Sequence, residues 1–172
     1  FGDNAGGAIT TGDANVAIGR EALAAATTES SNIAIGNNSL DANVYGSRNV
    51  AIGTSSLTTA VSDARNVAIG YAALEDQNSG GSSIVSTYNV AVGYFAGGNV
   101  TTGTNNMIIG NAATLLTTGS NNIVIGKSAL TSATTENSNI AIGHEAMKNT
   151  RDDDADFNVV IGYEALETAT TP

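Results

Sequence analysis

There is no cysteine and no tryptophan in this 172-residue chain, and only one proline and one histidine. Without cysteine there is no disulfide framework, no thiolate metal site and no thiol nucleophile, so stability has to come from burial and backbone pairing. Bases are scarce as well: six lysines and arginines stand against 16 acids, for a net charge of −10. That balance excludes the basic patches required by nucleic acid or an anionic bilayer, while an acidic surface keeps a long assembly soluble. No apolar run approaches the ~18–20 residues of a membrane span, and the first residues lack the basic and apolar regions of a signal peptide. The chain opens inside a repeat, at FGDNAGG, and stops inside another, at ETATTP, which reads as a fragment cut from a longer protein.

Glycine, by contrast, is abundant, with 20 residues, and nine of them recur in phase. Gly19, Gly36, Gly53, Gly70, Gly93, Gly110, Gly126, Gly143 and Gly162 are spaced by 17, 17, 17, 23, 17, 16, 17 and 19 residues. An asparagine stands four residues before each of them: Asn15, Asn32, Asn49, Asn66, Asn89, Asn106, Asn122, Asn139 and Asn158. Ile or Val precedes every one of these glycines, and Ala or Ser lies three residues after it. Leu or Met follows in seven of the nine units, with Gly97 and Thr114 as the exceptions. The chain is therefore a single repeat domain over 1–172, a partial unit at 1–14 and then nine units that begin near the nine asparagines. Surplus residues fall at Asn78 to Ser83 and at Lys148 to Asp156, both polar stretches, as insertions into surface loops do.

Each unit holds one β-branched run of the type Val-Ala-Ile between Asn and Gly, which reads as a short strand. A 17-residue period suits one coil of a solenoid with two short strands, the second after the Ala-Leu pair. Coils stacked as parallel strands ~4.8 Å apart make a rod of roughly 40–45 Å. At that spacing an asparagine column can form an amide ladder, and glycine permits the positive φ of a tight turn. The run is apolar on both faces. With Val16 and Ile18 filling a thin core, the Ala17 column is left as an outward stripe, to be covered by another copy of the chain.

The units NVAIGREAL, NIAIGNNSL, NVAIGYAAL, NIVIGKSAL and NIAIGHEAM resemble the head repeats of YadA-like trimeric autotransporter adhesins, and equally the N-x-A-I-G repeats in phage tail-fibre and bacterial surface-fibre shafts. The resemblance covers essentially the whole chain. It implies an all-β, left-handed parallel β-roll, a homotrimeric fibre displayed outside the cell on a bacterial surface or a virion. The function it implies is non-enzymatic: spacing or mediating attachment to a host-surface receptor or glycan, with no cofactor. The 17-residue period, longer than is usual in adhesin heads, is closer to the fibre-shaft version.

Chemistry beyond scaffolding has few carriers. His144 follows its glycine in a freely varying column and reads as a solvent-facing turn residue. Asp152, Asp153, Asp154 and Asp156 are the one acidic run that could hold a hard cation, and a solvated insertion loop is the simpler reading. Tyr71, Tyr94, Phe95 and Tyr163 read as wall or groove residues. Threonine pairs such as Thr10-Thr11, Thr27-Thr28, Thr101-Thr102, Thr134-Thr135 and Thr170-Thr171 raise an ice-binding alternative, since they share one column. The hexapeptide-like IGREAL raises that of a left-handed β-helix acyltransferase, but the following hexads are polar and no histidine repeats. The two insertion loops are the candidate receptor contacts.

Overall fold

A computed structural model describes residues 1–149 and 155–166. Among these residues there is no helix. Nine three-residue strands form one parallel sheet: β1 (Val16–Ile18), β2 (Ile33–Ile35), β3 (Val50–Ile52), β5 (Val67–Ile69), β7 (Val90–Val92), β8 (Met107–Ile109), β9 (Ile123–Ile125), β10 (Ile140–Ile142) and β11 (Val159–Ile161). Each pairs in register with the strand of the next unit, so Ala17 lies beside Ala34 and Ala51 beside Ala68. The result is a β-solenoid of about eight turns. At the first insertion a second, two-stranded sheet pairs β4 (Asp63–Ala64) with β6 (Val85–Ser86).

The wall opposite the main sheet is not a second run of strands, as expected from the sequence, but a stack of turns. It has its own backbone ladder: Leu23 N–H donates to Ser39 O at 3.0 Å, Leu40 to Ser56 at 3.0 Å and Leu57 to Ala73 at 3.1 Å. To bend this tightly, each coil places non-glycine residues in the left-handed region, among them Glu21 (φ 57°), Leu23 (φ 53°) and Ser31 (φ 64°). Such residues cost about 1–2 kcal/mol each. The coil-to-coil bonds and the shared core offset that cost.

The inward residue of each strand is the middle one, which reverses the expected facing of the sheet. Ala34, Ala51, Ala68, Ala91 and Ala141 are fully buried, together with the leucine column Leu23, Leu40, Leu57 and Leu74. Val16 and Ile18 instead point outward and are 41% and 43% exposed. The reason is width. The turn wall already sends a leucine across the coil, and a leucine facing an alanine fills the gap, whereas leucine facing a Val and an Ile would overfill it.

One exception obeys the same rule. Where the inward residue grows to Ile108, the leucine column has shrunk to Gly97, and a Cβ on Gly97 would stand 2.6 Å from Ile108 Cδ1. The repeating glycine is likewise set by its neighbour one coil on. A Cβ on Gly19 (φ +123°) would sit 2.5 Å from the Gly36 carbonyl oxygen, and one on Gly93 (φ +140°) 2.7 Å from that of Gly110.

The asparagine column ties side chain to main chain more than amide to amide. Asn15 Oδ1 accepts the Asn32 N–H at 2.9 Å, Asn32 Oδ1 that of Asn49 at 2.9 Å, and the pattern continues to Asn139 and Asn158 at 2.9 Å. The amide nitrogens donate to carbonyls of the next coil, as Asn32 does to Gly46 at 3.0 Å and Asn49 to Asp63 at 2.8 Å. Direct amide contacts are fewer, for example Asn122 Nδ2 to Asn106 Oδ1 at 3.1 Å.

Candidate functional site: the outward face of the sheet

Because every strand shows its first and third residues outward, the sheet presents two parallel ranks of apolar side chains along its whole length. One rank runs from Val16 through Val67 and Met107 to Val159, the other from Ile18 through Ile69 and Ile109 to Ile161. Every member is Val, Ile or Met, and neither rank contains a charge. Exposure is 36% at Ile69, 41% at Met107 and 38% at Ile109, rising to 68% and 65% at Val159 and Ile161. An unbroken apolar strip of this kind is rare on a lone soluble chain and marks an interaction surface. The alternation along a strand that buries alanine forces Val and Ile out; the face follows from the coil's own packing.

Along one rim of the strip, in the column just after each glycine, lie Tyr71 and Tyr94. Their rings stack at 5.3 Å with an 11° interplanar angle. His144 and Tyr163 stack in the same manner at 5.2 Å. Tyr71, Tyr94 and Tyr163 are exposed. The Phe95 ring packs over Gly98, where a Cβ would come within 2.6 Å of it.

The first insertion is an exposed loop: a Cβ on Gly80 or Gly81 would meet no other atom within 4 Å, and Ile84 is 56% exposed. Its base is anchored by the buried Asp63 carboxylate, which accepts from Ser79 Oγ at 2.6 Å and from Gln77 Nε2 at 3.2 Å. Of the acidic run, Asp152, Asp153 and Asp154 lie outside the described residues. Asp156 is engaged with the chain, accepting the Asn137 N–H.

The threonine column is occupied internally. Thr10 Oγ1 donates to Thr27 O at 3.0 Å and Thr101 Oγ1 to Thr117 O at 3.1 Å, while Thr28 Oγ1 donates to Glu29 at 2.9 Å. These three hydroxyls are engaged with the scaffold, and Thr170-Thr171 lies outside the described residues. Glu29 illustrates how turns in this column are held. Burial pushes its carboxyl up, but the Thr27 and Thr28 N–H groups at 2.8 and 2.9 Å and the Thr28 hydroxyl outweigh it, leaving the group below its usual value.

Against known proteins, the chain matches no family model, no curated protein and no solved structure. No helix among the described residues is long and apolar enough to cross a membrane.

Proposed function

We propose that this chain is a non-enzymatic segment of a homotrimeric extracellular fibre, a phage tail fibre or a bacterial surface adhesin, that spaces or mediates attachment to a host surface. The observation that carries the reading is the uncharged double rank of Val and Ile on the outside of the sheet. A second copy of the same chain offers a face of equal length and equal pitch, so copies packed around an axis parallel to the rod cover every strip at once. Three copies, a left-handed coil and the surface location follow from the resemblance to YadA-like heads and fibre shafts. The exposed loop around Asn78 to Ser83 is the proposed receptor contact, because it projects beyond the regular coil. Light scattering on the purified chain tests the assembly: a mass of three chains supports the reading, and a stable monomer removes it. For the loop, deletion of 78–83 is expected to abolish host binding while leaving the trimer intact.

A further inference from the structure

Near the C-terminal end of the solenoid, three metal-ligating side chains from two successive coils converge. His144 and Glu145 follow Gly143 at the end of β10, and Glu164 follows Gly162 at the end of β11. The backbone ladder holds them together, with the Glu164 N–H donating to His144 O at 2.8 Å and the Glu145 N–H to Lys127 O at 2.9 Å. Both glutamates are in the same left-handed conformation, φ 58° and 52°, so they occupy one column on adjacent coils. One donor atom from each of His144, Glu145 and Glu164 lies within 4.8 Å of the others.

Two features set this cluster apart from acids that merely share a surface. The same column shows what the fold does elsewhere with a glutamate: Asn38, one coil after Glu21, donates its amide to the Glu21 carboxylate at 2.9 Å. At Glu145 the next coil offers the Glu164 carboxylate in place of that amide donor, so two carboxylates and one imidazole share the column. Lys148 Nζ meets Glu145 Oε2 at 2.9 Å, and Oε1 faces His144 Nε2 at 4.0 Å. Second, His144 Nδ1 is shielded from solvent and has no hydrogen-bond partner. The imidazole is held by its stack on Tyr163, its side chain 37% exposed, with Nε2 toward Glu145 and Nδ1 unpartnered.

We propose that His144, Glu145 and Glu164 bind one zinc-type first-row divalent cation, clamping the last two described coils together. One nitrogen and two carboxylate oxygens suit zinc and its neighbours, which accept mixed N/O donors; calcium takes six to eight oxygens. Tetrahedral donors at ~2.0–2.1 Å from an ion sit about 3.3 Å apart, a contraction of up to about 1.5 Å that side-chain rotation supplies. Three protein ligands leave a position for water or an outside donor. The site does not depend on the fibre reading.

The test uses the chain freed of metal with EDTA, dialysed and titrated with zinc sulfate. Because His144 is the only histidine, its ring signals in NMR report binding without ambiguity. Expected are one zinc per chain by calorimetry, displaced His144 ring resonances, and a rise in Tm of about 5–10 °C at a hundredfold excess over Kd. His144→Gln and Glu164→Gln are each expected to weaken binding at least about tenfold. The proposal is overturned if zinc fails to bind saturably below about millimolar, if both variants bind it as tightly as the parent, or if calcium chloride displaces zinc at equal concentration.

Discussion

Adjacent residues of one strand are expected to respond in opposite ways to the same substitution, and this is the sharpest test of the sheet's facing. Ile69 is 36% exposed on the outward face, and Ala68 beside it is fully buried. Full burial of a Val or Ile is worth about 1.5–3 kcal/mol, so covering the remaining third is worth about 0.5–1 kcal/mol per residue. Two such residues on each of nine strands, most of them less exposed than Ile69, sum to at most about 10–20 kcal/mol per chain, against an association cost of about 4–15 kcal/mol. A central Ile69→Lys removes one contribution and, in a symmetric assembly, brings an ammonium from every chain to one level of the axis, at several kcal/mol each. The expected product is a folded chain with an unchanged circular-dichroism spectrum and monomeric mass. Ala68→Lys, by contrast, drives an ammonium into a coil interior one alanine wide, so the coil unfolds. Circular dichroism and multi-angle light scattering on the two variants decide the matter. A folded Ala68→Lys beside an unfolded Ile69→Lys would refute the facing, and an unchanged mass for Ile69→Lys would refute the role of the strip.

Gly53→Ala is expected to lose more stability in urea than Gly162→Ala, by about 2 kcal/mol: both have positive φ, but a Cβ on Gly53 would run into the Gly70 carbonyl, whereas one on Gly162 meets, among the described residues, only Ala165 Cβ at 3.6 Å. Asn49→Ala should cost about 2–5 kcal/mol by equilibrium unfolding, because it orphans the buried Asn66 N–H and Asp63 carbonyl together. Gly97→Leu and Ile108→Ala should each destabilise, by about 1–3 and 2–5 kcal/mol, while the double variant rebuilds the leucine-on-alanine pair and recovers more than about 1 kcal/mol of their sum. Glu29 has a folded value below its ordinary 4.5, so its stabilisation is complete above about pH 4.5 and is lost as the pH falls through the folded value. Glu29→Gln should flatten the acid limb of a Tm-against-pH curve; an identical limb in the variant would show that Glu29 does not carry it.

The period, the strand positions and the asparagine and glycine columns were legible in the sequence because each is a backbone requirement that repeats with the coil. The facing of the strand was not. Alternation says that Val16 and Ile18 share a face opposite Ala17, but the choice of face depends on how far the opposite wall reaches across, and that wall is made by leucines in turns with no strand pattern. One signal did point to the answer: the leucine column lapses at Gly97 and Thr114 in the units beside Ile108 and Val124, as it should if the two columns face each other. The cluster at His144 escaped for a related reason. The sequence places Glu145 and Glu164 19 residues apart, and only stacking the columns shows that the second insertion leaves both in the same rank. The acidic run that draws the eye, Asp152 to Asp154, is local in sequence and lies outside the described residues.

The ladder also governs how the rod comes into being. Its bonds join residues 17 apart, as from Asn32 to Asn15 and from Asn49 to Asn32, in a chain of 172. The mean separation of partners is therefore about a tenth of the chain, a relative contact order at the level of helical bundles and well below the ~0.16–0.22 of ordinary all-β domains. Once two coils have closed, each further coil adds against a finished template, so assembly proceeds as zippering from any nucleus along the chain. Lengthening such a rod by duplicating a unit adds steps to the zipper without raising the barrier to starting it.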